Sequence, residues 1–191
     1  TTGLLLPAAN YRSIMGDEEF EVHPAFEGAG EEAGMEIWRI EQFEPVKQDP
    51  KNAGKFYNHD AYIVLNTTQA PGKSKLEYEL HFWLGKHSAQ DEQGAAAMRT
   101  VELDQGVLRG SAVQYREVQG HETKLFLSYF KGGIQYLEGG VESGFNKVDH
   151  DAYTKRLFQV KGKKTVRVEQ VECKSSSLNQ GDTFVLDDGK D

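Results

Sequence analysis

The chain has 191 residues, of which 38% are hydrophobic and 10% aromatic, a composition that supports a folded core and excludes a disordered tail. Lys and Arg number 22 against 30 Asp and Glu, so the net charge is −8. This argues against a general nucleic-acid-binding surface, because phosphate binding requires a cationic one. The single cysteine, Cys173, excludes an intrachain disulfide and a cysteine-rich zinc site and fits a reducing cytosol. No apolar run approaches the ~20 residues of a membrane helix, and the start has no signal-peptide pattern, so we expect a soluble, cytoplasmic protein.

The first part of the chain differs in pattern from the rest. Residues 1–34 are rich in glycine and acidic side chains, and we interpret them as an extension that lies on a domain. Alternating or largely apolar runs of β-branched and aromatic residues then predict strands at 35–43, 60–66, 76–84 and 111–118. The centre of the chain is therefore expected to form a sheet.

The third predicted strand has two distinct faces. Tyr78, Leu80, Phe82 and Leu84 lie on one face, while His81 and Trp83 share the other with acidic residues. His81 is thus expected at the surface or in a hydrogen bond. Residues 123–130 fit either a strand or a short helix.

One strong helix is predicted from Ala89 to about Asp104. Ser88 and Asp91 have the spacing of a capping box, and Gly106 supplies a stop. At about 100° per residue, Ala96 and Leu103 point roughly opposite to Met98 and Val101. The helix therefore has two apolar sides: one can pack on the sheet, and the other needs a second layer of its own domain or a partner. The residues alone leave these two interpretations open.

Two segments recur in the same order along the chain. Residues 38–44 (WRIEQFE) resemble 166–172 (VRVEQVE), and residues 59–65 (HDAYIVL) resemble 181–187 (GDTFVLD). We infer one full repeat and the first two strands of another. The predicted division is an N-terminal extension at 1–34, a domain at 35–150, a basic linker at 151–164 and an incomplete second repeat at 165–191.

The residues offer little for catalysis. The chain has no nucleophile elbow, zinc-protease, P-loop or dinucleotide-binding motif. Oxygen ligands for a hard cation are available in Asp60, Glu92 and Asp104, although single acids in an acidic protein are mostly solvated.

Three runs of the sequence resemble the gelsolin, villin, severin and fragmin family. These are 81–97 (HFWLGKHSAQDEQGAAA), 114–120 (QYREVQG) and 155–164 (KRLFQVKGKK), and the resemblance extends from about His23 to the C-terminus. It implies an α+β fold in which a five-stranded mixed sheet lies between one long and one short helix. The full repeat resembles the first segment of the family and the later residues the start of the second, whether the parent has three segments or six.

The resemblance also implies an actin-binding face. In the family the long helix enters a cleft between two actin subdomains at the barbed end of the filament. This assigns to actin the residues Gln90, Gly94, Met98, Val101, Glu102 and Gln105, with Phe145 as a nearby apolar contact. Ala96 and Leu103 remain in the core.

Calcium ligands are implied by the same resemblance. One site would use the Asp60 and Glu92 carboxylates with the carbonyls of His59 and Val141. The family has glycine at the position of His59, so histidine can replace it only if the backbone there does not need a positive φ. A second would use Asp104 with the carbonyls of Gly110 and Ala112, completed by an actin carboxylate. One extra residue between Asp104 and Gly110, compared with the family, must be taken up by a bulge. Asp182, after Gly181, matches a calcium position of the second segment.

A basic cluster matches a family region linked to phosphoinositide and filament binding. It consists of Lys155, Arg156, Lys161, Lys163 and Lys164. An earlier phosphoinositide region of the family corresponds here to 131–138, which has one lysine and an added acid, so we do not assign lipid binding there.

The resemblance predicts a non-enzymatic, calcium-regulated fragment that binds actin monomer and caps barbed ends in the cytoplasm and cytoskeleton. Severing is expected to be weak or lost, because the second segment is incomplete. Two alternatives remain: a calcium-binding structural module without actin affinity, and a calcium-dependent hydrolase using Asp60 and Glu92.

Overall fold

The computed structural model describes residues 22–141, 155–163 and 166–188. Within these ranges ten strands form two five-stranded sheets. The strands are β1 (Gly34–Glu41), β2 (Glu44–Lys47), β3 (Lys55–Tyr57), β4 (Ala61–Gln69), β5 (Leu76–Leu84), β6 (Ala112–Val118), β7 (Ile134–Leu137), β8 (Arg156–Lys161), β9 (Arg167–Val171) and β10 (Thr183–Asp187). The long helix is Gln90–Glu102 and the short helix Lys124–Tyr129, with 3₁₀ turns at Pro24–Phe26, Pro50–Asn52 and Ser175–Ser177. In these described ranges, no helix has the length and apolar character of a membrane span.

The first sheet has the order β2-β1-β4-β5-β6 and is mixed. Neighbouring strands are antiparallel except β5 and β6, which are parallel. On one face, Trp38 and Ile63 share a buried cluster with Ala96 of the long helix. On the other face, Trp83 shares a cluster with Phe126 of the short helix. This confirms the expected α+β architecture and shows that 123–130 forms a helix and not a strand.

Both faces of β5 are core, which the sequence pattern did not predict. His81 is 0% exposed, because the short helix covers the face predicted to be polar. Its Nδ1 lies 3.0 Å from Glu117 Oε1, and its Nε2 lies 3.0 Å from the Tyr129 hydroxyl. Of the two expectations for His81, the hydrogen bond is confirmed and the surface position is wrong.

The start of the long helix also differs from prediction. Its N-cap is Ala89, whose N–H donates to Glu92 Oε2 at 3.3 Å. Ser88 instead donates its hydroxyl to the carbonyl of Gly85 at 2.8 Å. The capping box predicted for Ser88 and Asp91 is therefore wrong, since the serine hydroxyl anchors the preceding turn.

The long helix continues into a π-helical turn, Leu103–Val107. Here the N–H of Leu108 donates to the carbonyl of Leu103 at 3.1 Å, a wider ring than in an α-helix. A π turn accommodates one more residue than an α turn. This turn lies at the start of the segment between Asp104 and Gly110, where a bulge is expected.

The second sheet has the order β10-β8-β9-β7-β3. In it β8 is flanked antiparallel by β9 and β10, just as β1 is flanked by β2 and β4 in the first sheet. Trp38 pairs with Ile63, and Phe158 pairs with Val185 in the same way. By topology β8 is therefore the counterpart of β1.

This corrects the repeat inferred from sequence, in which 166–172 matched 38–44. The matched residues 166–172 lie mainly in β9, which corresponds to β2. They were matched to 38–44 because the two segments share polar residues, whereas β8 shares with β1 its apolar alternation. The predicted linker 151–164 also includes strand β8. Residues 142–154 and 164–165, and the predicted extension before residue 22, lie outside the described residues.

Candidate functional site

The outer face of the long helix carries an exposed stripe. Gln90, Gly94 and Met98 are one helical turn apart and exposed, and Met98 has 74% of its surface accessible. Val101 and Gln105 continue the stripe and are half-buried. The opposite side packs on the sheet through residues that are 0% exposed, among them Ala96 and Leu103. The helical periodicity therefore separated the two apolar sides correctly.

One residue predicted for the same face, Glu102, contacts other parts of the domain. Glu102 accepts the backbone N–H of His23 at 2.6 Å and pairs with Arg99 Nη1 at 2.7 Å. Arg99 also pairs with Glu44 of β2. Glu102 thus fastens the helix to the rest of the domain. Phe145 lies outside the described residues.

Asp60, at the start of β4, is enclosed by the chain. Its side chain is 1% exposed, and its Oδ1 accepts the N–H of Val141 at 2.8 Å. Arg39 Nη2 lies 2.5 Å from Oδ2. Burial raises the pKa of Asp60 above its ordinary value, and the charge of Arg39 opposes this rise.

The surroundings of Asp60 fit a calcium ion. Its Oδ2 is buried and already contacts a cation, the guanidinium of Arg39. A Cβ on Gly140 would overlap Asp60 Oδ1 and the Cβ of His59, so glycine leaves the backbone close to the carboxylate. The φ of His59 is not positive, which meets the condition for histidine there.

The available donors favour oxygen coordination. Glu92 is 5% exposed in the first turn of the long helix. Among the described residues, no three His, Cys, Asp or Glu side chains form a metal-binding group. A site here would combine two carboxylates with carbonyls, a donor set that suits calcium better than a transition metal.

Asp104 lies in the π turn and is 0% exposed. Its Oδ1 accepts the N–H of Ala112 at 3.0 Å, and its Oδ2 accepts the Gln114 amide at 2.7 Å. The N–H of Gly110, a residue with φ 69°, donates to the Asp104 carbonyl at 2.8 Å. The structure therefore brings Asp104, Gly110 and Ala112 into one loop, in which Asp104 already anchors the start of β6.

Asp182 precedes β10 in an exposed turn. Its carboxylate accepts the amides of Gln159 at 2.6 Å and Asn179 at 2.9 Å. The hydrogen bond from Asn179, followed by that from Gln159, lowers the pKa of Asp182. The carboxylate is therefore maintained in its charged form.

The basic cluster lies around β8. Lys155, Arg156, Lys161 and Lys163 are exposed, whereas Lys164 lies outside the described residues. Arg156 pairs with Asp187 of β10 at 2.8 Å, so its charge is partly neutralised. Arg156 and Lys161 are thus the two ends of β8, and Lys155 and Lys163 flank the strand.

Sequence reasoning missed two arginines that act on buried acids. The repeat of 38–44 at 166–172 places Arg39 and Arg167 at matching positions but predicts no partner for either. Arg167 Nη2 lies 3.4 Å from the buried carboxylate of Glu122. A charged residue flanked by apolar neighbours, as Arg39 is by Trp38 and Ile40, was the available indication of a buried partner.

Comparison with known proteins identifies relatives across most of the chain. Residues 42–127 match the gelsolin repeat. Gelsolin of Drosophila melanogaster is 55% identical over 171 residues, which cover 89% of this chain and 21% of that protein. Villin-2 of Arabidopsis thaliana is 55% identical over 164 residues, 86% of this chain and 17% of that protein. Actin depolymerising venom protein gelsolin 1 of Platymeris rhadamanthus is 47% identical over 173 residues, 90% of this chain and 46% of that protein.

The chain thus spans less than half the length of each of these relatives. The gelsolin repeat covers the long helix, the Asp60 strand and most of the mixed sheet. The matched residues, the extent of identity and the architecture agree. Over residues 42–127 the chain matches the gelsolin repeat, and over most of its length it is similar to gelsolins and villins.

Proposed function

We propose that this chain is the actin-binding part of a calcium-regulated gelsolin-family protein, and that it binds actin monomer and caps filament barbed ends in the cytoplasm. The observation that carries this proposal is the outer stripe of the long helix. Met98 is 74% exposed at its centre, with the half-buried Val101 beside it, and apolar residues presented at helical spacing suit a hydrophobic groove in a partner. A relative whose name describes actin depolymerisation supports actin as that partner.

The actin-binding face would centre on Met98, with Gln90 and Gly94 before it and Val101 and Gln105 after it. Phe145 would add an apolar contact. Glu102 would act at its margin, since it is engaged by His23 and Arg99. Burial of a side chain such as methionine contributes roughly 1.5–3 kcal/mol, so Met98 is expected to dominate.

Calcium would be held at two places in the first repeat. Asp60 and Glu92 would supply carboxylates beside the carbonyls of His59 and Val141. Asp104 would supply another with the carbonyls of Gly110 and Ala112. Bound calcium supplies positive charge that offsets buried carboxylates. The chain's own part is to hold these oxygens together, as the Val141–Asp60 and Ala112–Asp104 hydrogen bonds do.

The remaining assignments concern the second repeat. We place its beginning at β8, on the basis of strand topology, and assign Asp182 with Gly181 to a calcium position there. Lys155, Arg156, Lys161, Lys163 and Lys164 would form a phosphoinositide-binding surface. Severing is expected to be weak.

Sedimentation velocity with actin monomer tests the proposal. With calcium present, the wild-type chain is expected to form a complex with actin. Met98→Asp should not, because a carboxylate would be buried in the apolar cleft without a partner. Leu178→Asp is the matched control, since Leu178 is 52% exposed directly after the 3₁₀ turn Ser175–Ser177, and it should bind as wild type does.

Two results would contradict the proposal. Absence of any complex with the wild-type chain would favour a structural calcium module. A complex of unchanged affinity with Met98→Asp would remove the helix from the interface. The hydrolase alternative is not favoured, because Asp60 is enclosed by Arg39 and Val141.

A further inference from the structure

We infer that Arg39 is a built-in competitor of calcium at Asp60: its guanidinium occupies the carboxylate oxygen that the ion would take, and so sets the calcium concentration at which the site fills. The inference rests on the proposed calcium site. It concerns a residue that supplies no ligand to that site.

The two cations compete for the same atom. Arg39 Nη2 lies 2.5 Å from Asp60 Oδ2, and the N–H of Val141 occupies Oδ1. Calcium also lies about 2.3–2.6 Å from its oxygen ligands. A guanidinium and a calcium ion at these distances on Oδ2 would repel each other, so the arginine must withdraw when the ion binds.

Arg39 has a clear role in the absence of the ion. Asp60 is 0% exposed, and the side chain of Arg39 is 16% exposed. A buried carboxylate without a counter-charge is strongly unfavourable. Arg39 therefore stabilises the calcium-free protein, and that stabilisation opposes calcium binding.

A neighbouring cleft can accommodate the Arg39 side chain after it leaves Asp60. Its guanidinium lies over the Tyr57 ring, 4.6 Å from the ring centre. It borders a polar cleft of ≈ 340 Å³ that is also lined by Lys55, Arg156 and Asp187. Asp187 belongs to β10 and contributes a carboxylate to this cleft. An arginine released from Asp60 can turn into this cleft and share the Asp187 carboxylate, which already pairs with Arg156 at 2.8 Å.

The test is calorimetric titration with calcium chloride alone, combined with thermal unfolding in the absence of calcium. Arg39→Gln is expected to bind calcium about tenfold more tightly and to unfold at a lower temperature when calcium is absent. Lys47→Gln is the matched control, because Lys47 also pairs with an acid, Glu36, but is exposed on β2. It should leave calcium affinity unchanged.

The outcomes separate this inference from the calcium site itself. Arg39→Lys keeps a cation near Asp60 on a shorter side chain. Its calcium affinity is expected to lie between those of wild type and Arg39→Gln. This variant also tests the inference if Arg39→Gln does not fold. Equal or weaker calcium binding by the arginine variants, while Asp60→Asn loses binding, would overturn the competitor role and make Arg39 a positioning residue. If Asp60→Asn bound calcium as wild type does, the proposed site would fail, and the inference with it.

Discussion

The carboxylate of Glu122 shows how single residues hold the fold together. Glu122 Oε1 accepts the Tyr136 hydroxyl at 2.6 Å, the Gly120 N–H at 3.0 Å and the Trp83 indole N–H at 3.1 Å. Hydrogen bonds to a buried charged acceptor contribute more than neutral ones. Tyr136 is 4% exposed, so its hydroxyl group donates to Glu122 in the protein interior.

Three tyrosines, two buried and one half-buried, give the residue-scale prediction. Burial is the main cause that raises the pKa of Tyr62, Tyr129 and Tyr136 above the usual tyrosine value of about 10. Above that pH the unfolded chain releases protons that the folded chain retains, so the free energy of unfolding falls as pH rises. In an ultraviolet titration of the eight tyrosines, at least three are expected to ionise only as the protein unfolds.

Tyr136→Phe assigns one of these groups. It is expected to reduce the late-ionising number by one, while the remaining tyrosines titrate as before. Reversible ionisation of all tyrosines near pH 10, with the circular dichroism spectrum unchanged, would contradict the description of these side chains as enclosed.

Residue placement was predictable where it depends on local periodicity. The 100° helical step placed Ala96 inside and Met98 outside, as the structure confirms. Pairings such as Arg39 with Asp60 join residues on different strands. They depend on strand order and register, which single-residue patterns do not contain.

At the scale of elements, the long helix contains a glycine at an exposed position. A Cβ added at Gly94 would have no atom within 4 Å, so glycine is not required by the fold of this chain. Gly94→Ala is expected to increase the free energy of unfolding by about 0.5–1 kcal/mol, since alanine favours a helix. If Gly94 lies in the actin-binding face, as proposed, the added methyl group should weaken actin binding.

Chemical denaturation and an actin-binding titration measure the two effects. Gly132→Ala is the matched control, because Gly132 is exposed and also has open space around its Cβ position; actin affinity should not change. A Gly94→Ala variant that bound actin as tightly as wild type would place Gly94 outside the interface.

The elements themselves were largely predictable, whereas their boundaries and correspondences were not. The four predicted strands correspond to β1, β4, β5 and β6. The cap of the long helix was misassigned because Ser88 hydrogen-bonds backward to Gly85. The repeat was misaligned because β9 resembles β1 in letters, while β8 matches it in pairing.

At the scale of the whole molecule, the proposed second repeat shares a sheet and a partly exposed ion pair with the first. Strand β9 pairs parallel with β7, and its residue Arg167 reaches Glu122 of the first repeat. The side chain of Glu122 is 0% exposed and that of Arg167 is 32% exposed. The second repeat therefore completes the environment of an acid in the first.

A double-mutant cycle tests this link. Glu122→Gln and Arg167→Gln are each expected to destabilise the chain, with a coupling energy of roughly 1 kcal/mol, reduced by the partial exposure of Arg167. Urea denaturation of the four proteins measures it. Additive effects of the two changes would show that the repeats are joined by the β7–β9 pairing without help from this ion pair.

The outer face of the long helix is proposed to bind actin and thereby to cap filaments. Elongation of pyrene-labelled actin from barbed ends, in the presence of calcium, tests this central claim most directly. Wild type and Leu178→Asp are expected to stop elongation at the same concentration, and Met98→Asp to leave elongation unaffected at that concentration. Equal inhibition of elongation by Met98→Asp and wild type would contradict it.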